Sequence, residues 1–374
     1  MPAPAYLDHA ASSPLRPEAF DALVTHLPLE GNPSALHVAG QRARRALEEA
    51  RERLAAAVGA APGDVVFTSG GSEADSIALI GGMRARRQQG RTRCLVSAVE
   101  HPAVLGMLQR GAEALPVTRD GVIDVDRALE SIDGDVGVVS VMAVNNETGI
   151  CQPLADLCAA ALGHDAWVHT DAVQALGHVP VDFRASGVDM MSLSAHKVGG
   201  PVGIGALLVR RSVTPAMVGL GGGQERDIRS GTGAVALAAA FAAAAATATE
   251  SLEAETVRLG GMQARIMAVS RELGGDVSTA LAEHAPHITN VTFAGTRAND
   301  LLFLLDQAGV YASVGSACRA GVHQPSEVLL AMGRTSDEAA ATLRFSTGHS
   351  TTDADIARLE EVLPTALRQA RAAF

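Results

Sequence analysis

The sequence has 374 residues and a formal net charge of −11, from 41 Asp or Glu against 30 Lys or Arg. Its apolar share of 47% with 19% charged excludes a disordered chain, and the acidic balance argues against nucleic acid as the main ligand, which needs a basic footprint. Of the 30 basic residues, 29 are Arg and one, Lys197, is Lys; ordinary usage would place roughly 20 Lys in a chain this long.

The predicted elements begin with a helix over 40–58, where Ala43, Leu47, Ala50, Leu54 and Val58 recur at spacings of three and four. An apolar run at 65–67 precedes Gly70-Gly71 and a helical stretch from Ser72 to about Gln88. Further β-type runs stand at 94–99, 136–142, 166–170, 188–193 and 204–209, most of them separated by helix-length segments. That alternation predicts a mainly parallel sheet with helices on its faces. The longest apolar run, 234–246, is mostly Ala. It is too short to span a bilayer and reads as a buried or interface helix. After about 250, a helix-like stretch (251–273) leads into mixed strands and helices at 288–293, 301–308 and 310–314. A helix from Ser326, a strand at 342–346 and a last helix from Thr352 follow, and together they predict a smaller α+β domain. No charged-then-apolar leader opens the sequence, and the four cysteines (Cys94, Cys151, Cys158, Cys318) show neither CxxC nor zinc spacing. The expectation is a soluble cytoplasmic protein without disulfides, membrane or metal.

In open parallel sheets ligands bind at the carboxyl ends of strands. After 65–68 comes SGGSE (69–73), where two glycines admit an anion to the backbone and a helix N-terminus follows. The alternative is a tight turn with Ser72 as N-cap. Asp171 and Gln174 follow the run at 166–170, and Glu100-His101 follow the run at 94–99. Lys197 stands in SAHK (194–197), after another strand. Arg serves as well as Lys on a solvated surface, but it cannot lose its proton to attack a carbonyl, so the one retained Lys is the candidate nucleophile. A Schiff-base Lys, a strand-end carboxylate and an anion-binding turn together point to pyridoxal phosphate. Cys318 lies in the Gly/Ser/Ala-rich SVGSACRAG (313–321) beside Arg319, a setting that favours thiolate; the other three cysteines read as structural.

Ten segments in order resemble the cysteine desulfurases of the NifS/IscS type, class V aminotransferase-like enzymes of fold-type I. They are YLDHAASSP (6–14), GNPSALH (31–37), FTSGGSEAD (67–75), EHPAV (100–104), VNNETG (144–149), DAVQALG (171–177), SLSAHKVGGPVGIGAL (192–207), GGGQERDIRSGT (221–232), SVGSACRAG and RFSTGHST (344–351). The resemblance implies an α/β fold with a mainly parallel seven-stranded sheet in a large PLP-binding domain (15–250). Residues 1–14 and 251–374 would form the small α+β domain that carries the Cys318 loop. It implies that Lys197 carries the cofactor, Asp171 pairs with its pyridinium nitrogen, Gln174 bonds the ring hydroxyl and His101 stacks on the ring and shuttles protons. Gly71, Ser72, Ser194 and His196 would bind the phosphate, with Thr232 supplied by the second subunit of a homodimer. Asn146 would contact cofactor and substrate, and Arg344 would grip the carboxylate of L-cysteine. Cys318 would take the sulfur as a persulfide and hand it to a protein acceptor, an iron–sulfur scaffold or a tRNA thiolase. Departures are Ser12-Ser13 in place of Thr-Thr, Ser72 in place of Thr, Val202 in place of Lys, and Arg319-Ala320 after the Cys. The rival readings are a selenocysteine lyase or other β-eliminating lyase, and a catalytically silent sulfur-carrier scaffold.

Overall fold

The computed structural model describes residues 4–315 and 325–373. Its strands, in chain order, are β1 (Ala5–Tyr6), β2 (Val65–Thr68), β3 (Arg93–Ser97), β4 (Glu113–Leu115), β5 (Val136–Ser140), β6 (Trp167–Asp171), β7 (Met190–Ser194), β8 (Gly205–Val209), β9 (Asp276–Val277), β10 (Ile288–Thr292), β11 (Val310–Tyr311) and β12 (Thr342–Ser346). A seven-stranded sheet runs in the order β2-β8-β7-β6-β5-β3-β4. The pairs from β7 through β4 are parallel, while β8 lies antiparallel between β2 and β7.

Both faces of this sheet are covered, so its central strands are buried along their whole length. Successive side chains point to opposite faces. Val139, Val168, Met191 and Leu208 join one apolar cluster, with Leu47, Leu54 and Phe241. Their chain neighbours Val138, Trp167, Met190 and Leu207 join another, with Ile77, Leu79 and Met83. The Ala-rich run forms the helix Val235–Glu250, buried through its middle against the helices Pro17–His26 and Val38–Ala57. Alanine lets these helix axes approach closely and costs no side-chain entropy. Among the described residues no single helix is long and apolar enough to cross a membrane.

A third cluster lies apart. β12, β10 and β9 form an antiparallel sheet packed by the helices Leu252–Glu272, Ala298–Gln307 and Asp353–Ala373. Its core holds Leu259, Phe293, Leu301, Phe345, Leu359 and Leu363, and the N-terminal residues Ala5 and Leu7 belong to it. β1 joins it by pairing in parallel with β11.

Of the mixed strands and helices, 301–307 falls in the helix Ala298–Gln307. The edge strand β4 was absent from the predicted elements, because its three residues are largely exposed and show no apolar run. By contrast Ser326 caps the helix Glu327–Ala331 through its hydroxyl, and Thr352 opens the last helix in a reciprocal pair with Asp355.

Candidate active site

The carboxyl ends of β3, β5, β6 and β7 open on a cavity of about 530 Å³. Asp171 closes β6 and is buried, its Oδ1 accepting from the Val173 amide at 2.8 Å. Burial raises its pKa, while nearby His101 and Lys197 pull it down. Three residues on, Gln174 donates from Nε2 to the Ala10 carbonyl at 2.9 Å.

Ser194 ends β7, and a tight 3-10 turn carries Ala195–Lys197 into the cavity. Lys197 Nζ donates to the carbonyls of Ala10 at 2.6 Å and Ala11 at 2.9 Å. Burial, helped by the Arg344 cation, lowers its pKa to about 8. His196 is lowered to about 4 by burial and by Lys197, and its Nδ1 lies 3.3 Å from the Ser12 hydroxyl.

His101 follows β3 as the N-cap of the short helix Pro102–Leu105. Its Nδ1 accepts from the Ala103 amide at 3.1 Å, which leaves the proton of the neutral ring on Nε2. Burial lowers its pKa, with Asp171 opposing. In VNNETG, Asn145 builds the turn by accepting from the amides of Glu147 and Thr148. That frees Asn146 to line the cavity, where its Oδ1 is buried without a partner.

Gly71 and Ser72 line the cavity at the start of the helix Gly71–Ser76. The cap position is Gly70, so Ser72 is not the N-cap. A Cβ on Gly71 would come within 2.8 Å of Val173 Cγ2, so glycine permits the close approach of this turn to β6.

Arg344 on β12 faces the strand ends from the other side. Its terminal nitrogens donate to the Asn146 carbonyl at 2.7 Å and to Asp8 Oδ1 at 2.9 Å, and its Nε is buried without a partner. Thr232 is exposed and does not line this cavity. Cys318 and Arg319 lie outside the described residues; Gly315 and Pro325, the described neighbours of that segment, both line the cavity. Burial pushes the thiols of Cys94, Cys151 and Cys158 up to about 12, 11 and 11, away from reactivity.

Four acids in the lining were given no role by the sequence reading: Asp75, Glu100, Glu147 and Glu327. Glu100 Oε1 accepts from the Ser97 hydroxyl at 2.7 Å and the Met142 amide at 2.6 Å, while Oε2 has no partner. Burial raises its pKa to about 8. Asp75 Oδ1 is also unpartnered, 3.6 Å from His169, and burial beside Asp171 raises its carboxyl well above the usual range. The available signal was position: Glu100 adjoins His101, and Asp75 stands in the first helical turns after the glycines.

The sequence matches the class-V aminotransferase family over residues 5–359. An IscS-like cysteine desulfurase of Mycobacterium tuberculosis is 44% identical over 388 residues, taking in 99% of this chain and 98% of the relative. The chain belongs to this family, in its NifS/IscS-type cysteine desulfurase branch. A mitochondrial cysteine desulfurase of Arabidopsis thaliana is 37% identical over 96% of this chain and 81% of its own. Among solved structures, a NifS-like protein superposes with a TM-score of 0.89 at 30% identity, covering 98% of this chain and all of that one. A protein described as SspA in complex with cysteine gives 0.79 at 31% identity over 91% of this chain and 98% of its own.

Cysteine desulfurases of this branch depend on pyridoxal phosphate, and the cavity fits that group. It offers an amine with lowered pKa, a buried carboxylate, a neutral imidazole and an unpartnered buried amide oxygen at Asn146.

Proposed function

We propose that the protein is a PLP-dependent cysteine desulfurase that converts L-cysteine to L-alanine and collects the sulfur on Cys318. The observation that carries this reading is Lys197, the one lysine of the chain, set with a pKa near 8 among Asp171, His101 and Arg344 in one cavity. Bound there, pyridoxal phosphate supplies a carbonyl for amines and a sink for electrons.

The chain's own residues do the rest. Lys197 Nζ would hold the cofactor and, once freed, would take the proton from the substrate Cα. Its lowered pKa leaves a larger neutral fraction near pH 7 than an ordinary lysine has. Asp171 would hold a negative charge for the cofactor's ring nitrogen, and His101 would pack on the cofactor and offer its Nε2–H to move protons. Gly71, Ser72, Ser194 and His196 receive the phosphate, and Asn146 and Arg344 orient the substrate. Cys318 thiolate attacks the substrate sulfur. The S–S bond forms as the C–S bond breaks, the carbon takes a proton, and alanine leaves.

The persulfide would pass to iron–sulfur cluster assembly or tRNA thiolation in the cytoplasm. We read residues 15–250 as the cofactor domain and 1–14 with 251–374 as the second domain, supported by the separate apolar cluster of the latter. We read the working form as a homodimer in which Thr232 reaches the partner's phosphate site. Support comes from its exposure and from Phe20, Val24 and Leu27, which stand exposed at helical spacing about the helix Pro17–His26.

Supplied with L-cysteine and a reductant, the parent should give alanine and sulfide in equal amounts, and Cys318→Ala should give neither. Pyruvate in place of alanine would identify a β-eliminating lyase, and no turnover a silent scaffold. Sedimentation of the holoenzyme at twice the chain mass tests the dimer.

A further inference from the structure

His178 and His287 lie face to face in the interior, with ring centroids 3.6 Å apart and planes 8° from parallel. His178 directly follows DAVQALG, and His287 directly precedes β10. Neither falls in a segment that carries the family resemblance. The stack therefore joins the loop after β6 to the antiparallel sheet of the third cluster.

Burial keeps both rings neutral, holding His178 down to about 4 and His287 well below the imidazole range. The groups around them are His9, Arg16, Lys197, Glu255, Arg344 and His349, mostly cations or imidazoles that oppose a further positive charge.

Gln174 settles which nitrogen of His287 carries the proton. Gln174 Nε2 lies 2.9 Å from the Ala10 carbonyl, which can only accept, so the donor end of the amide faces Ala10. Oε1 is then the end 3.3 Å from His287 Nε2, and that nitrogen must donate. His287 Nδ1, buried and unpartnered, is left bare.

We propose that the His178–His287 stack is a positioning device: His287 locks the Gln174 amide with its free N–H available to the cavity, and His178 holds the His287 ring in place by stacking on it. The locked amide presents a donor, so the cofactor atom it meets is an acceptor, such as a ring phenolate oxygen. This last step rests on the pyridoxal phosphate reading. Neither histidine is a catalytic residue, since each acts through the residue it holds.

Nitrogen-15 histidine NMR of the full-length apo-protein reads the tautomer directly, with His287→Gln identifying the signal. The expected result is the Nε2–H form of His287 from pH 5 to 9. The opposite tautomer, or a titration near 6.5, overturns the proposal. Equilibrium binding of pyridoxal phosphate to the apo-protein adds the functional arm. Binding by the parent tests the cofactor reading alone. His287→Leu should bind about tenfold more weakly, for loss of one buried hydrogen bond. His287→Gln, which keeps a side-chain N–H, should recover most of that. Equal affinity of parent and His287→Leu overturns the positioning role even where the parent binds normally. The tautomer measurement decides the case where the Leu variant fails to fold.

Discussion

The wall of the cavity built by the large sheet draws on neighbours in sequence: Asp171, Gln174, Ser194, His196 and Lys197 follow the ends of two adjacent parallel strands. The facing wall, with Ser313, Gly315, Pro325 and Arg344, is drawn from the C-terminal third, and its cation is paired with Asp8 near the other end of the chain. On the sheet wall, burial is the main control: it lowers an amine and raises carboxyls. On the facing wall, Arg344 is paired with Asp8, which in the proposed mechanism a substrate carboxylate would displace. Chemistry is thus set locally, and recognition across the whole length of the chain.

That division can be broken by experiment. Lys197→Arg should remove the visible absorption of bound cofactor and all turnover, because Arg cannot lose its proton; a surviving band would move the chemistry off the sheet wall. Arg344→Leu should raise KM for L-cysteine about 100-fold, the worth of a charge-assisted pair, with cofactor affinity unchanged. Equal loss of both would show that the two walls do not divide the work.

Glu100→Gln tests burial as the control. Between pH 4.5 and about 8 the unfolded chain releases this proton and the folded chain keeps it. The parent therefore loses up to about 1.4 kcal/mol of stability per pH unit on this group as pH rises through that window. The amide has no proton to release, so the variant should be more stable by about 2 kcal/mol at pH 8, allowing for its own desolvation. Below that the gain should shrink as pH falls and turn into a loss before pH 4.5, where the protonated carboxyl has the advantage. Denaturant melts of the apo-protein at a series of pH values read it, and a constant offset would show that Glu100 is ionised when folded. The smallest effect is expected of Asp8→Asn, which weakens the competitor for Arg344 and should lower KM about threefold; a raised KM would mean that Asp8 orients the guanidinium instead.

Legibility in the sequence followed the same line. The strand-end residues could be found because short apolar runs and helix-length spacers locate parallel strands, and ligands sit at their carboxyl ends. The strand β4 could not, since an exposed three-residue edge has no apolar signature. Ser72 was open to reading as a cap because Ser at a helix start usually caps, yet here Gly70 takes that position. The Asp8–Arg344 pair and the His178–His287 stack join residues 336 and 109 positions apart. No local pattern announces such contacts, and each histidine alone looks like an ordinary core residue.

Lys197 has a use beyond its chemistry. Its Nζ rests on the Ala10 and Ala11 carbonyls, and no other lysine exists to compete with it for a label. Protein grown on isotopically enriched lysine would carry one marked side chain, placed inside the cavity at the strand ends. Its resonance would need no assignment, and would follow protonation, cofactor loading and substrate exchange in the unmodified enzyme as a built-in reporter.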